Sequence, residues 1–333
     1  MILVTGGTAK VGGNVVRMLR QAGAEVRCLV RMGSEYFWLN DTGAQYFFGD
    51  LRDPTSLRRA VMGCRYVVHV AGVGLEGTEN HHESTTLQGT KNLIEMARAE
   101  GVERVVMVSC IGAGTDAPVA AFDCLRKAEQ ELEASGLAYT ILRPGPYLDE
   151  LATIVRGQTG GRGGVLWARG DRAIRPVTTR DAAIVAIACL DHPQAQNQTV
   201  PLTGSYEATP NELIDEIAAQ IDVESKDVER RGGWLSRRLK SLALGRRWDN
   251  RIAEQRALLD GEICFDTSDW IAAIGIPLQT RQEAIQTVAS EEHPSEDPQA
   301  RDSRVVHRQF QATVYEPGEI GVDELPDGPL KMV

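Results

Sequence analysis

Residues 1–19 read MILVTGGTAKVGGNVVRML: an apolar run, a turn bearing glycines, then a helical pattern. Met1–Val4 has the continuous hydrophobic character of a strand covered on both faces. Val11–Gln21 reads as a helix, with Val15 and Leu19 one turn apart on the buried side. Between them lies Thr5-Gly6-Gly7-Thr8-Ala9-Lys10-Val11-Gly12. Glycine at position 6 permits the tight turn, and Gly12 lets the helix sit close to the sheet. The amides opening such a helix, together with its dipole, attract a pyrophosphate. Gly7, Thr8, Lys10 and Val11 complete the candidate cradle, Lys10 adding a positive charge. Ala9 stands where a glycine is expected; its methyl is compatible with the loop provided its φ is negative.

The same alternation continues. Ala24–Val30, Ala44–Phe48, Tyr66–Val70, Arg104–Val108 and Tyr139–Leu142 read as strands, and Thr199–Leu202 as a last one at the sheet edge. Pro54–Met62, Thr86–Glu100, Leu125–Ala134, Arg180–Leu190 and Thr209–Gln220 read as helices. Repeated β-α-β units predict an α/β fold, a Rossmann-type doubly wound parallel sheet, with a smaller C-terminal substrate or partner lobe. The expected division is residues 1–150 for the Rossmann domain, completed by 175–205, then 151–289 for the smaller lobe. Residues 290–333 read as a polar, poorly ordered tail, and Gly157–Gly170 as a glycine-rich loop.

Composition narrows the partners. A net charge of -10 over 333 residues argues against nucleic acid, whose phosphates an acidic surface repels. No run approaches the roughly 18 apolar residues that span a bilayer, and no leader segment is evident at Met1, so a cytoplasmic protein is expected. The six cysteines are scattered and read as reduced core residues, and no Cys/His ligand spacing suggests a metal. His81-His82-Glu83 reads as a polar loop.

The strand ends refine the cofactor. Cys28-Leu29-Val30-Arg31 closes the second strand without the carboxylate that would hold a ribose diol. Arg31 can clamp a 2′-phosphate instead, so NADP is expected, with NAD as the alternative. Gly49, Asp50 and Leu51 are placed for the adenine, and Val70, Ala71 and Gly72 for the adenosine ribose.

Six stretches together give the sequence a family resemblance: TGGTAKVGG, GDLRD at 49–53, VAG at 70–72, QGTKNLIEMA at 88–97, VMVSCIGA at 106–113 and SGLAYTILRPG at 135–145. In order and spacing they resemble the short-chain dehydrogenase/reductase superfamily, in its atypical NmrA-like branch, over about residues 1–205. The resemblance implies NAD(P) in the glycine loop, with Arg143, Pro144 and Gly145 beside the nicotinamide and Ser109 nearby. It also implies a tyrosine and, four residues on, a lysine as proton donor and its activator. Registered on Glu129, those positions hold Ala121 and Leu125; registered on Lys127, the tyrosine position holds Asp123. Neither register restores the pair, and no catalytic residue is assigned. Cys110, Tyr147 and an ordered water are the remaining candidate donors.

Two functions follow. The first is a nucleotide-binding protein without the Tyr/Lys pair, in a regulatory, assembly or accessory role. The alternative is an NAD(P)H-dependent oxidoreductase that reduces a small carbonyl, quinone or enone with a different proton donor. Partners expected besides the dinucleotide are a small-molecule substrate or a protein. Residues 229–251, basic and with Leu235, Leu239 and Leu242 on one helical face, suit a lid or peripheral contact with an anionic membrane. Residues 310–333, FQATVYEPGEIGVDELPDGPLKMV, resemble the opening strand and turn of a Rieske-type ferredoxin domain, without its cluster ligands.

Overall fold

Strands with apolar residues on both sides need helices over both faces, and the chain supplies them. A computed structural model describes residues 1–34, 36–72, 81–156, 171–223, 246–259 and 265–290. Within them β1 (Ile2–Thr5), β2 (Val26–Val30), β3 (Gln45–Phe48), β4 (Tyr66–His69), β5 (Arg104–Val108), β6 (Ala138–Pro144) and β7 (Gln198–Leu202) pair in parallel. Their order is β3-β2-β1-β4-β5-β6-β7. This is the doubly wound sheet that the alternation predicts. Pro201 is accommodated because β7 is an edge strand.

Successive residues face opposite sides. Val4, Cys28, Val30, Val68, Val106 and Leu142 enter one core with α1 (Lys10–Gln21) and α6 (Thr179–Ala188). Their neighbours Leu3, Leu29, Val67, Val105, Met107 and Ile141 enter the other with α2 (Pro54–Val61), α3 (Gln88–Ala99) and α4 (Ala120–Glu133). A further core joins α5 (Leu148–Val155), α7 (Pro210–Gln220), α8 (Arg246–Leu259) and α10 (Arg281–Ser290). A short α9 (Ser268–Ala273) packs against the first core through Ile271.

Several boundaries differ from the sequence reading. Helix α4 starts at Ala120, not Leu125, and the helix expected from Thr86 starts at Gln88. The reason for the second shift is a π-helical turn over His82–Leu87, which also replaces the loop read at His81-His82-Glu83. Helix α5 was not anticipated, although Leu148, Leu151, Ala152 and Val155 carry helical spacing and are buried. The glycine-rich loop, the basic segment before residue 246 and the Rieske-like tail lie outside the described residues. Among the described residues no helix is long and apolar enough to cross a membrane.

Two buried polar groups fix the sheet to its helices. Arg104 is 7% exposed and donates to the carbonyls of Cys189 (2.9 Å) and His192 (3.0 Å), at the C-terminal end of α6. His69, 2% exposed, lies 2.7 Å through Nδ1 from Thr5 Oγ1 and 2.9 Å through Nε2 from Thr90 Oγ1. The Thr90 hydroxyl donates to the Thr86 carbonyl at 2.5 Å, so it accepts from Nε2–H, and Nδ1 accepts from Thr5.

Burial pushes His69 down to about 4, against 6.5 for the free side chain. The folded protein therefore binds fewer protons than the unfolded chain in that window, and stability falls as pH drops from 6.5 towards 4. The expected contribution is about 3 kcal/mol. Urea unfolding of wild type and His69→Gln at pH 7 and pH 4 checks this: the variant should be the less pH-sensitive of the two.

Candidate functional site

The order of strands reverses between β1 and β4, so a crevice opens above their C-terminal ends. Gly6 closes β1 with φ +71°, and a Cβ there would stand 2.7 Å from the Ala71 amide nitrogen. A Cβ on Gly12 would stand 2.2 Å from the Gly6 carbonyl oxygen. Only glycine at both places lets strand, loop and helix come this close. Ala9, the residue preceding α1, has φ -91° and ψ 162°, ordinary extended backbone, so its methyl carries no strain.

The first hydrogen bond of α1 runs from Gly13 N–H to the Ala9 carbonyl, 2.7 Å. The amides of Lys10, Val11 and Gly12 come before that ladder begins. Ala9 offers no side-chain cap and the first turn has no acid. A helix start left this way suits an anion supplied from outside.

A cavity of about 280 Å³ lies over these elements. Gly6 and Thr8 line it, with Ala9, from the loop; Arg31 and Ser34 from the end of β2; Asp50 and Leu51 from the end of β3; Ala71 and Gly72 from the end of β4. Asp50 is held by Arg52 through Nε at 2.9 Å and Nη2 at 2.6 Å, which keeps its carboxyl below the usual range. Gly49 and Val70, read from the sequence beside these, line it as well, whereas Ser34, Leu29 and Thr85 line it and were not read from the sequence. Thr85 comes from the π-helical turn, and its Oγ1 and that of Thr86 are buried without partners. No sequence signal marks such a turn. A cradle shaped by glycines and buried hydroxyls in want of partners fit a dinucleotide.

Other predicted residues lie elsewhere. Lys10 turns towards α5, Nζ donating to Thr153 Oγ1 at 3.2 Å, and Gly7 and Val11 do not line the cavity. Asn14, next on the same side of α1, donates to Thr179 Oγ1 at 3.2 Å. Thr179 binds the buried Asp149 carboxylate through its amide at 2.9 Å and through its hydroxyl.

At the far end of the sheet stand Ser109, Pro144 and Gly145, whose amide donates to Leu202 at 2.8 Å. Arg143 is taken by buried Glu129, with Nη2 to Oε2 at 2.6 Å. Ser109 Oγ is buried and has no partner. Tyr147 is partly buried; desolvation first, then Cys110, Asp149 and Glu150, pushes its phenol well above the ordinary value. Such a phenol stays protonated and is a poor acid.

In the register set on Glu129, the position that the resemblance gives to the donor is apolar. Ala121 is 6% exposed and clusters with Val119 and Phe122, while Ala257 and Leu258 of α8 pack against them. Leu125 packs into the second core, and Asp123 and Lys127 face solvent. Among the described residues, no group of three or more His, Cys, Asp or Glu is arranged to hold a metal.

Residues 6–193 match a family model described as NAD(P)H-binding. The chain is 32% identical over 219 residues to an NAD(P)H azoreductase of Xenophilus azovorans, across 66% of this chain and 73% of that one. It is 26% identical over 219 residues to the photosystem II assembly factor Ycf39 of Guillardia theta, across 64% and 68%. Among solved structures, an NADPH-dependent quinone oxidoreductase of Escherichia coli complexed with NADPH shares the fold at TM-score 0.65 and 22% identity, covering 87% of this chain and 99% of that one.

Gly12→Ala should force the loop off the helix. The expected loss is about 1–3 kcal/mol of stability, with NADPH binding lost at concentrations that saturate the wild type. Thermal melting with and without NADPH checks both.

Proposed function

The chain belongs to the NAD(P)H-binding family, and from that premise we propose that it holds NADP(H) and serves through its nucleotide-bound form, in a regulatory or assembly role. The observation that carries this reading is the pairing of an anion-ready helix start with an apolar cluster where a proton donor would stand. In this reading the pyrophosphate rests on the amides of Lys10, Val11 and Gly12. Arg31 and Ser34 hold the 2′-phosphate, Asp50 and Leu51 flank the adenine, and Ala71, Gly72 and Thr85 meet the adenosine ribose. Ser109, Pro144 and Gly145 border the nicotinamide. Bound NADPH supplies a hydride. The described groups orient the dinucleotide and exclude water, and among the described residues of this reading none takes the part of a proton donor. Likeness to an assembly factor supports the role. The further core supports a second lobe within 151–289, and cytoplasmic residence belongs to the same reading.

A second reading, reduction of a small carbonyl, quinone, enone or azo compound, is favoured by the azoreductase match over 73% of that enzyme. There the acceptor would take the hydride from NADPH, releasing NADP+, and the balancing proton from water.

Mass spectrometry of nucleotide co-purifying with the native protein tests the first reading: NADP(H) is expected, and an empty site overturns it. Arg31→Ala should weaken NADPH about tenfold in calorimetry and leave NADH unchanged. Sustained NADPH oxidation with a quinone or azo dye would select the second reading over the first.

A further inference from the structure

Residues 49–53, GDLRD, join β3 to α2 and carry two acids and an arginine. Asp53 is committed to the helix: its carboxylate accepts from the amides of Thr55 (3.0 Å) and Ser56 (3.2 Å) and caps α2. Asp50 instead lines the cavity together with Arg31 and Ser34, and it is the one acid among the described lining residues. Both of its oxygens are engaged by Arg52. Oδ1 accepts from the Arg52 amide and from Nε, each at 2.9 Å, and Oδ2 accepts from Nη2 at 2.6 Å. This is the bidentate, directional form of an arginine–carboxylate pair. The charge of Arg31 also acts on the Asp50 carboxyl. A carboxylate without Arg52 would draw Arg31 towards itself and repel an incoming phosphate.

We propose that Arg52 sets the preference of this cavity for the 2′-phosphorylated dinucleotide over NAD: by holding Asp50, it lets Arg31 and Ser34 answer the phosphate. Arg52 acts through Asp50 and is a positioning residue, not a contact of the ligand. The inference rests on the reading that Arg31 and Ser34 hold the 2′-phosphate, and it adds what governs their selectivity. The side chains of Arg52 and Asp50 are 34% and 24% exposed. A pair this open to solvent contributes little to stability, so removing it alters the charge of the cavity more than the fold.

The test is titration calorimetry of the full chain with NADP+ and with NAD+, across wild type, Arg52→Met, Asp50→Asn and the double variant. Arg52→Met should weaken NADP+ about tenfold and leave NAD+ unchanged. Adding Asp50→Asn should restore most of that loss, a rescue that neither a folding defect nor a direct phosphate contact by Arg52 would show. The gain in NADP+ affinity from Asp50→Asn should be at least about fivefold larger in Arg52→Met than in the wild type. If Arg52→Met does not fold, Arg52→Gln takes its place. Undiminished NADP+ preference in Arg52→Met, no rescue in the double variant, or equal gains from Asp50→Asn in the two backgrounds overturns the role of Arg52 and leaves the proposed function standing. A wild type that binds neither dinucleotide, or both equally, overturns the proposed 2′-phosphate site and this inference with it.

Discussion

The cleft depends on how near the first helix can come to the ends of two strands. Gly6 passes under Ala71, and Gly12 presses on the Gly6 carbonyl; a single methyl at either place would collide with backbone, which has nowhere to go. That closeness aims the opening amides of α1 at the point where the strand order reverses. Beneath it, neutral His69 ties Thr5 at the end of β1 to Thr90 in α3, so the floor of the loop is bonded on both sides. The uncapped, glycine-packed start of α1 is a property of this geometry.

The two ends of the cleft differ in kind. The adenosine end is lined by loop backbone, hydroxyls and Arg31. At the other end Ala121 and Phe122 pack with Ala257 and Leu258, and Arg143 is paired with Glu129. A phenol in desolvated surroundings, as at Tyr147, cannot stand in for an activated one. Binding and proton transfer are separable demands.

Much of the fold was legible because continuous β-branched runs and helical spacing report burial directly. β5 matched residue for residue, and the phosphate loop was recognisable from glycines whose need is steric. Ala9 was readable too, since its acceptability turned on one backbone angle. The misses have physical causes. Ser34 and Thr85 reach the cleft through a loop and a π-helical turn, neither of which has a periodic signature. Lys10 looked like a phosphate contact by position, yet its long side chain reaches Thr153. The start of α4 was placed late because Ala120, Ala121 and Phe122 carry no capping residue ahead of them, Val119 making no side-chain cap.

The polar side of α1 is stitched to the C-terminal helices: Lys10 to Thr153 on α5, Asn14 to Thr179 on α6, and Thr179 onward to Asp149. Those bonds join the first turns of α1 to α5 and α6. If an anion settling the helix start also orders α5 and α6, then ordering those helices tightens the hold on the anion by an equal factor.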